Sequence, residues 1–572
     1  MEIIKKKQRN DVHPYIPELE ELYRAGRCSR REFMRTATLL GMSAAAASAL
    51  AACAPSETAT PEAAPPTEAP EPTPAPPSGP KRGGTLHVSA AVHKVTHPAQ
   101  FSWVSPSNQL RQVSEYLTLT DHNNVTHPYL LESWDASDDL LTWTLNLRQG
   151  IKFNNGDEFN ADDVIFTMNE WLNPDVESSI LGLMSYLQPT GIEKVDDHTV
   201  KLHLDKAEIA VPEHLFHYPA LVLNHRTFEG DFLKAPHGTG PYTMEEYIPD
   251  ERVLVKRRTD YWQMGKDGDP LPYLDEIEWT NLGEEMSAHI AALQAGEIDQ
   301  IDVSDVGGTD IYLALKDDPN VNIFGTPTGQ TRLLRMRVDV DPWTDNNVRK
   351  ALKLCQNREK ILQLAYFGEG VLGHDCHVSP IHPEFCPMDP PVYDPEQAKE
   401  LLAEAGYPDG LDVELAVSTG WADVVKYAEV LKEDAAAAGF NITLNTMPTS
   451  QYWELWTEVD LGITPWTHRP LGTMVLNLAY IADENGDPVP WNETRWVDEE
   501  FSELLEQANA TLDVEERREI MCDLQRIQIE RGSIGTAWWR NIWFFVSKKF
   551  QNVNGHPTAY LLFNEVWYDP EA

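Results

Sequence analysis

Apolar residues recur along this chain with both strand and helix periods, which predicts an α/β protein. In residues 142–148, Trp143, Leu145 and Leu147 face one way, while Thr142, Thr144, Asn146 and Arg148 face the other. That alternation predicts a half-buried strand. Asn154-Asn155-Gly156-Asp157 reads as a turn. Asn160 then caps a helix with Asp163 in its first turn and Val164, Ile165, Met168 and Trp171 on its apolar face. His237–Trp262, HGTGPYTMEEYIPDERVLVKRRTDYW, predicts a constrained turn at Gly238, Gly240 and Pro241. Glycine's access to positive φ and proline's fixed φ aim the chain into a strand there. Tyr242 and Met244 share one side of that strand, Pro249-Asp250 reverses it, and Val253 and Val255 alternate on the return.

The same reading continues to the C-terminus. A helix from about Glu284 to Ala295 stops at Gly296, and Ile298, Ile301 and Val303 fit a short strand. Asp394-Pro395-Glu396-Gln397 is a complete helix start, with Ala398, Leu401, Leu402 and Ala405 inward. Leu411, Val413, Leu415 and Val417 alternate as a strand. A helix to Ala438, a stop at Gly439 and a strand through Phe440, Ile442 and Leu444 complete a βαβ unit. Asp513 and Glu516 open another helix, and aromatic strands around Trp538–Phe545 and Tyr560–Phe563 end the chain.

The N-terminus follows different rules. Residues 1–53 read as an export segment: a charged leader with Ser29-Arg30-Arg31-Glu32-Phe33-Met34, a short apolar run, then Leu50-Ala51-Ala52-Cys53. The first motif resembles the twin-arginine export signal and the second a bacterial lipobox. They imply cleavage before Cys53 and lipidation of its thiol; an unprocessed membrane anchor is the other reading. Residues 54–80 contain ten prolines, so 54–82 reads as an extended, solvated linker. With 572 residues the chain has room for two or three lobes. Its net charge of −44 would repel nucleic acid phosphates.

Four stretches together resemble family 5 extracellular solute-binding proteins, the peptide-binding lipoproteins of ABC importers. They are the GTGPY turn with its closing DYW, LTWTLNLRQGIKFNNGDEFNADDVIF, Ala292-Leu293-Gln294-Ala295-Gly296-Glu297-Ile298-Asp299, and Asp345-Asn346-Asn347-Val348-Arg349-Lys350-Ala351-Leu352. The resemblance implies a type II periplasmic-binding-protein fold with two lobes, a hinge and an inserted subdomain. Lobe I is expected from 83–118, 236–326 and 536–572, the subdomain from 119–235, and lobe II from 327–535. It implies a lipid-anchored monomer, exported to the periplasm or the outer face of the cytoplasmic membrane. There it would capture a peptide or similar solute for an ABC permease and ATPase, with no cofactor.

Candidate chemistry is consistent with a binder. No Gly-x-Ser-x-Gly elbow and no recognisable Cys/His pair is present; an exported hydrolase is the competing class. Cys376 and Cys386 share the loop HDCHVSPIHPEFCP, where a disulfide or a plain loop outweighs a metal site on His374, Cys376, His377 and His382. Trp103, Trp421, Trp466, Trp538 and Trp539 sit beside turns or strand ends, where aromatic walls serve small-molecule clefts. Of the adjacent pair Trp538-Trp539, at most one is expected in the core. Peptide-binding members of the family carry an Asp shortly after the residue matching Trp466; here Thr467-His468-Arg469-Pro470 follows. Arg469 or His468 is therefore expected to meet a ligand carboxylate, the alternative being an Arg469 pair with a protein acid. The missing Asp leaves sugars, opine-like conjugates and other small acids open as ligands.

Overall fold

The computed structural model describes residues 79–572 except 103, 305–307 and 484. The expected export segment with Cys53, the linker up to residue 78, and Trp103 lie outside the described residues. Lys81 and Arg82, expected in the linker, belong to the body instead. Lys81 Nζ lies 2.6 Å from Asp569, and Arg82 Nε lies 2.6 Å from Asp267.

An 11-stranded sheet runs through the body. Its centre is an antiparallel pair of long strands, Val321–Met336 and Ile534–Ser547, in register from Val321 opposite Ser547 to Arg335 opposite Ile534. One end of this pair carries Gln300–Ile301, Thr85–Ser89, Glu276–Thr280, Arg252–Arg257 and Tyr242–Ile248 in that order. The other end carries Leu461–Trp466, Leu411–Ser418 and Phe440–Met447. The register slips between Pro327 and Thr331 and again before Leu333, where the two halves meet. This is the type II binding-protein architecture: two lobes joined by the strands that cross between them.

Local signals explain most elements. Asn160 caps Ala161–Leu172 as expected, and Asp163 reciprocates by accepting from Asn160 N. That helix packs on a separate antiparallel sheet of Leu131–Ala136, Thr142–Leu147, Thr199–Leu204 and Leu187–Asp196. Asp394 caps Pro395–Glu404, and Asp513 caps Val514–Arg531. Leu411–Ser418 and Phe440–Met447 pair in parallel, as a βαβ unit requires. Tyr560–Phe563 is not a strand; its backbone instead meets polar side chains, Asn108 Oδ1 accepting from Leu561 N and Gln112 donating to Leu561 O. At the GTGPY turn the glycines serve close approach. A Cβ on Gly238 would lie 2.0 Å from Val113 O, and one on Gly240 would lie 2.6 Å from Gln112 O.

The expected Cys376–Cys386 bridge is corrected by the structure, which pairs Cys386 with Cys522, 136 residues away. Gln525 gives the reason. Its amide accepts from Cys386 N and donates to Cys386 O, laying the loop along the helix face that also carries Cys522, one turn earlier. Cys376 instead points into a core with Leu333, Trp466 and Met521, where burial pushes its thiol up to about 12. Non-reducing peptide mapping should recover a 386–522 crosslink and leave Cys355 and Cys376 alkylated only after unfolding. Cys522→Ser should lower stability by about 2–5 kcal/mol in denaturant titration, because the bridge closes a long loop.

Candidate functional site

Because Leu461–Trp466 runs parallel to Leu411–Ser418, their C-terminal ends share one edge of the sheet. Such edges are where α/β folds place ligands. Trp421 sits there as the residue before Ala422–Ala435, its ring edge-on to Trp453 at 5.6 Å and to Tyr452 at 6.2 Å. Trp466 is buried and fixed by a polar network. Its Nε1 donates to Glu493 Oε1 at 2.8 Å, Thr464 Oγ1 donates to Glu493 Oε2 at 2.5 Å, and Arg335 Nε lies 3.2 Å from the same carboxylate.

The loop after Trp466 reaches across a seam. His468 Nδ1 accepts from Gly329 N at 2.9 Å, which leaves Nε2 to donate to Asn124 Oδ1 at 3.1 Å. Asn124 also donates to Pro470 O at 2.7 Å, so residues far apart in sequence form one clasp. Burial holds His468 well below the usual imidazole range, hence neutral. With both ring nitrogens engaged, His468 has no donor left for a ligand.

Arg469 differs. It is half-buried, and Nη1 donates only to Thr467 Oγ1 at 2.8 Å and His468 O at 3.0 Å. No carboxylate among the described residues lies within 4.0 Å of it, so the alternative of a protein acid partner is not what the structure places there. Burial lowers its pKa, opposed by the nearby Tyr218 and Tyr560 hydroxyls. Tyr218 was not singled out in the sequence and Tyr560 only as the start of an expected strand; both belong to segments distant from residue 469.

Trp538 and Trp539 are both buried, at 0% and 2% exposure, so the expectation of one core residue at most is too low. Trp538 packs edge-on to Tyr427 in a core that also holds Leu415, Val424 and Leu431. Trp539 faces the opposite way, toward His377 and His382, and its Nε1 has no hydrogen-bond partner among the described residues. His377 Nδ1 meets Tyr480 Oη at 2.7 Å and stands edge-on to Trp466, while His382 Nε2 donates to Arg469 O at 3.0 Å. The His374–His382 loop is thus tied into protein contacts. Among the described residues no three His, Cys, Asp or Glu side chains are grouped to hold a metal.

Next to the seam, the closing DYW motif finds its physical role. Tyr261 Oη donates to Glu115 Oε1 at 2.5 Å and Trp262 Nε1 to Glu115 Oε2 at 3.1 Å. Burial raises the Glu115 pKa. This network and the segment 552–565 border a cavity of about 430 Å³. Elsewhere on the seam, Glu213 faces Glu384 and Arg517. Its carboxyl is pushed up to about 7, mainly by burial; Glu384 adds to the rise, and hydrogen bonds including one from Thr126, with Arg517, oppose it.

The chain matches the profile described as "Bacterial extracellular solute-binding proteins, family 5 Middle" over residues 125–483. It is a family 5 extracellular solute-binding protein. This binding protein is 29% identical over 460 residues to Di/tripeptide-binding protein 1 of Pseudomonas aeruginosa, covering 71% of this chain and 79% of that one. It is 28% identical over 418 residues to the glutathione-binding protein GsiB of Salmonella typhi, covering 70% and 77%. Its fold is similar to that of HbpA2 from Haemophilus parasuis, with a TM-score of 0.74, 24% identity and coverage of 85% and 100%. It is also similar to DppA from Helicobacter pylori in complex with the peptide STSA, with a TM-score of 0.63, 21% identity and coverage of 86% and 99%. No helix among the described residues is long and apolar enough to cross a membrane.

The Glu213 shift carries a sign. Its folded-state value of about 7 exceeds the ordinary 4.5, so the protonated form contributes stability that is full below pH 4.5 and lost as pH rises through about 7. Relative to Glu213→Gln, the unaltered protein should therefore lose melting temperature steadily over that window. A constant difference between the two in pH-dependent thermal melts would contradict this.

Proposed function

We propose that this protein captures a small peptide with a free carboxylate outside the cytoplasmic membrane and delivers it, unaltered, to an ABC permease. One observation carries the reading: Arg469 is a guanidinium at the seam with no acid within ion-pair distance among the described residues, beside Tyr218 and Tyr560. Removing a cation from water without a counter-charge is costly. A ligand carboxylate arriving at Arg469 supplies that counter-charge together with charge-assisted hydrogen bonds.

In this reading 83–118, 236–326 and 536–572 make lobe I, 119–235 the inserted subdomain and 327–535 lobe II. The hinge lies where the long strands slip register. The clasp of Asn124 on His468 and Pro470 belongs to the closed state, whose population rises when a ligand touches both sides. Trp466 on lobe II and Trp539 on lobe I form the aromatic wall, with Trp421 nearer the rim and Trp103 a further candidate contact. Trp538 is a core residue behind them, and His468 closes the seam instead of contacting ligand. Lipidated Cys53 and the proline-rich stretch after it tether a monomer to the membrane. The names of relatives that bind di- and tripeptides or glutathione support a short peptide as cargo.

Isothermal titration with trialanine and trialanine amide tests this. The free acid should bind about 10–100-fold tighter, the range of one charge-assisted hydrogen-bond pair. Arg469→Ala should erase the difference. Equal affinity for acid and amide, or an unchanged preference in Arg469→Ala, rules out the assigned role. Mass spectrometry of the recovered ligand should return it intact; cleaved peptide would favour an exported hydrolase.

A further inference from the structure

Asn124 sits at the tip of the hairpin formed by Thr118–Thr120 and Thr126–Pro128, with φ at 63°. Asp121 builds that tip. It accepts from Asn123 N at 2.8 Å and Val125 N at 3.0 Å, and its other oxygen lies 3.2 Å from His127 Nε2. The Asn124 side chain is buried, at 3% exposure, between two loops of the other side of the seam. Nδ2 donates to Pro470 O at 2.7 Å and to Ile381 O at 3.3 Å, and Oδ1 accepts from His468 Nε2 at 3.1 Å. Both amide hydrogens and the amide oxygen of one residue are thus spent across the seam.

His468 ties this contact to one protonation state. Gly329 N donates to Nδ1 at 2.9 Å, so Nδ1 offers a lone pair and Nε2 carries the hydrogen that Asn124 accepts. An imidazolium has hydrogens on both nitrogens, and the one on Nδ1 would point at the Gly329 N–H. The fit leaves little room to turn away: a Cβ on Gly329 would lie 3.1 Å from His468 Nδ1 and 2.9 Å from His382 Nε2. Burial disfavours the charged ring most, and His382, His556 and Arg469 add to that. The acids of the seam act at one remove, Glu384 on His382 and Asp121 on His556. Glu213, beside Thr126 of the same hairpin, works with the opposite sign: its carboxyl takes up a proton below about 7, which favours the closed seam in acid.

We propose that Asn124 and His468 form an acid-labile latch between the lobes, which holds the receptor shut around its solute near neutrality and releases as the surroundings acidify. This rests on the capture reading above, in which the hairpin and the 467–470 loop belong to different lobes. Once the lobes part, His468 meets water and titrates as an ordinary imidazole near 6.5; in the shut form it stays neutral well below that. Opening therefore takes up a proton. The latch is whole above about 6.5, and each pH unit below favours the open form by about tenfold. Asn124 is a positioning residue: it touches no solute and sets how much of the population is closed.

Trialanine titrations of the full chain at pH 7.5 and 5.5 read the latch. A glutamine amide supplies both an acceptor and a donor and does not titrate, so His468→Gln is the reference, with Glu213 present in both proteins. Relative to it, the unaltered protein should lose about tenfold in affinity on going to pH 5.5 and should release about one more proton per peptide bound, read as the dependence of binding heat on buffer ionisation enthalpy. Asn124→Gly keeps the positive φ and removes only the latching amide. It should weaken trialanine at pH 7.5 by about fivefold or more, the scale of two or three lost hydrogen bonds. The same pH dependence in the unaltered protein and His468→Gln, or unchanged affinity in Asn124→Gly, overturns the latch; should His468→Gln not fold, Asn124→Gly decides alone. Hydrogen exchange at the Gly329 amide needs no ligand. Relative to His468→Gln at the same pH, it should quicken by about tenfold between pH 7.5 and 5.5, and a constant ratio overturns the latch. If trialanine binds none of these proteins, the peptide reading fails and the exchange result still decides.

Discussion

The rest of the molecule depends on the antiparallel pairing of Val321–Met336 with Ile534–Ser547. These two strands are the part of the sheet that both lobes share. Backbone hydrogen bonds along the pair keep each lobe's strands in register with its own end. The slips around Thr331 break that regularity at the midpoint, where bulged strands twist and bend most easily. Gly329, at the slip, also donates to His468, so the bend and the seam are chemically connected.

Several of the candidate residues on either side of that bend are held by fixed partners. Trp466 cannot swing freely, because Glu493, Thr464 and Arg335 hold its indole nitrogen in a buried network. The loop bearing His377 and His382 is fastened at both ends of its span, by Tyr480 on one side and by the Cys386–Cys522 bridge with Gln525 on the other.

What could be read in advance follows the range of each interaction. Caps at Asn160, Asp394 and Asp513 are made by residues two or three positions away, so a single window of sequence contains the whole interaction. Strand alternation around Trp143 is equally local. The bridge between Cys386 and Cys522 depends on where a loop is laid along a helix 136 residues later, and nothing near either cysteine announces it. The glycines of the GTGPY turn were legible as necessary, but their reason was not: the chain they approach, Gln112–Ser114, is more than a hundred residues earlier. Arg469 was visible because it replaces an expected acid. Asn124 was not, because its neighbourhood is assembled from three separate segments.

The acidic surface has a kinetic consequence. With a net charge of −44, the protein's long-range field pushes anions away. Dissolved salt screens that field over about 10 Å at 0.1 M. Any anion therefore approaches this protein faster in brine than in fresh water.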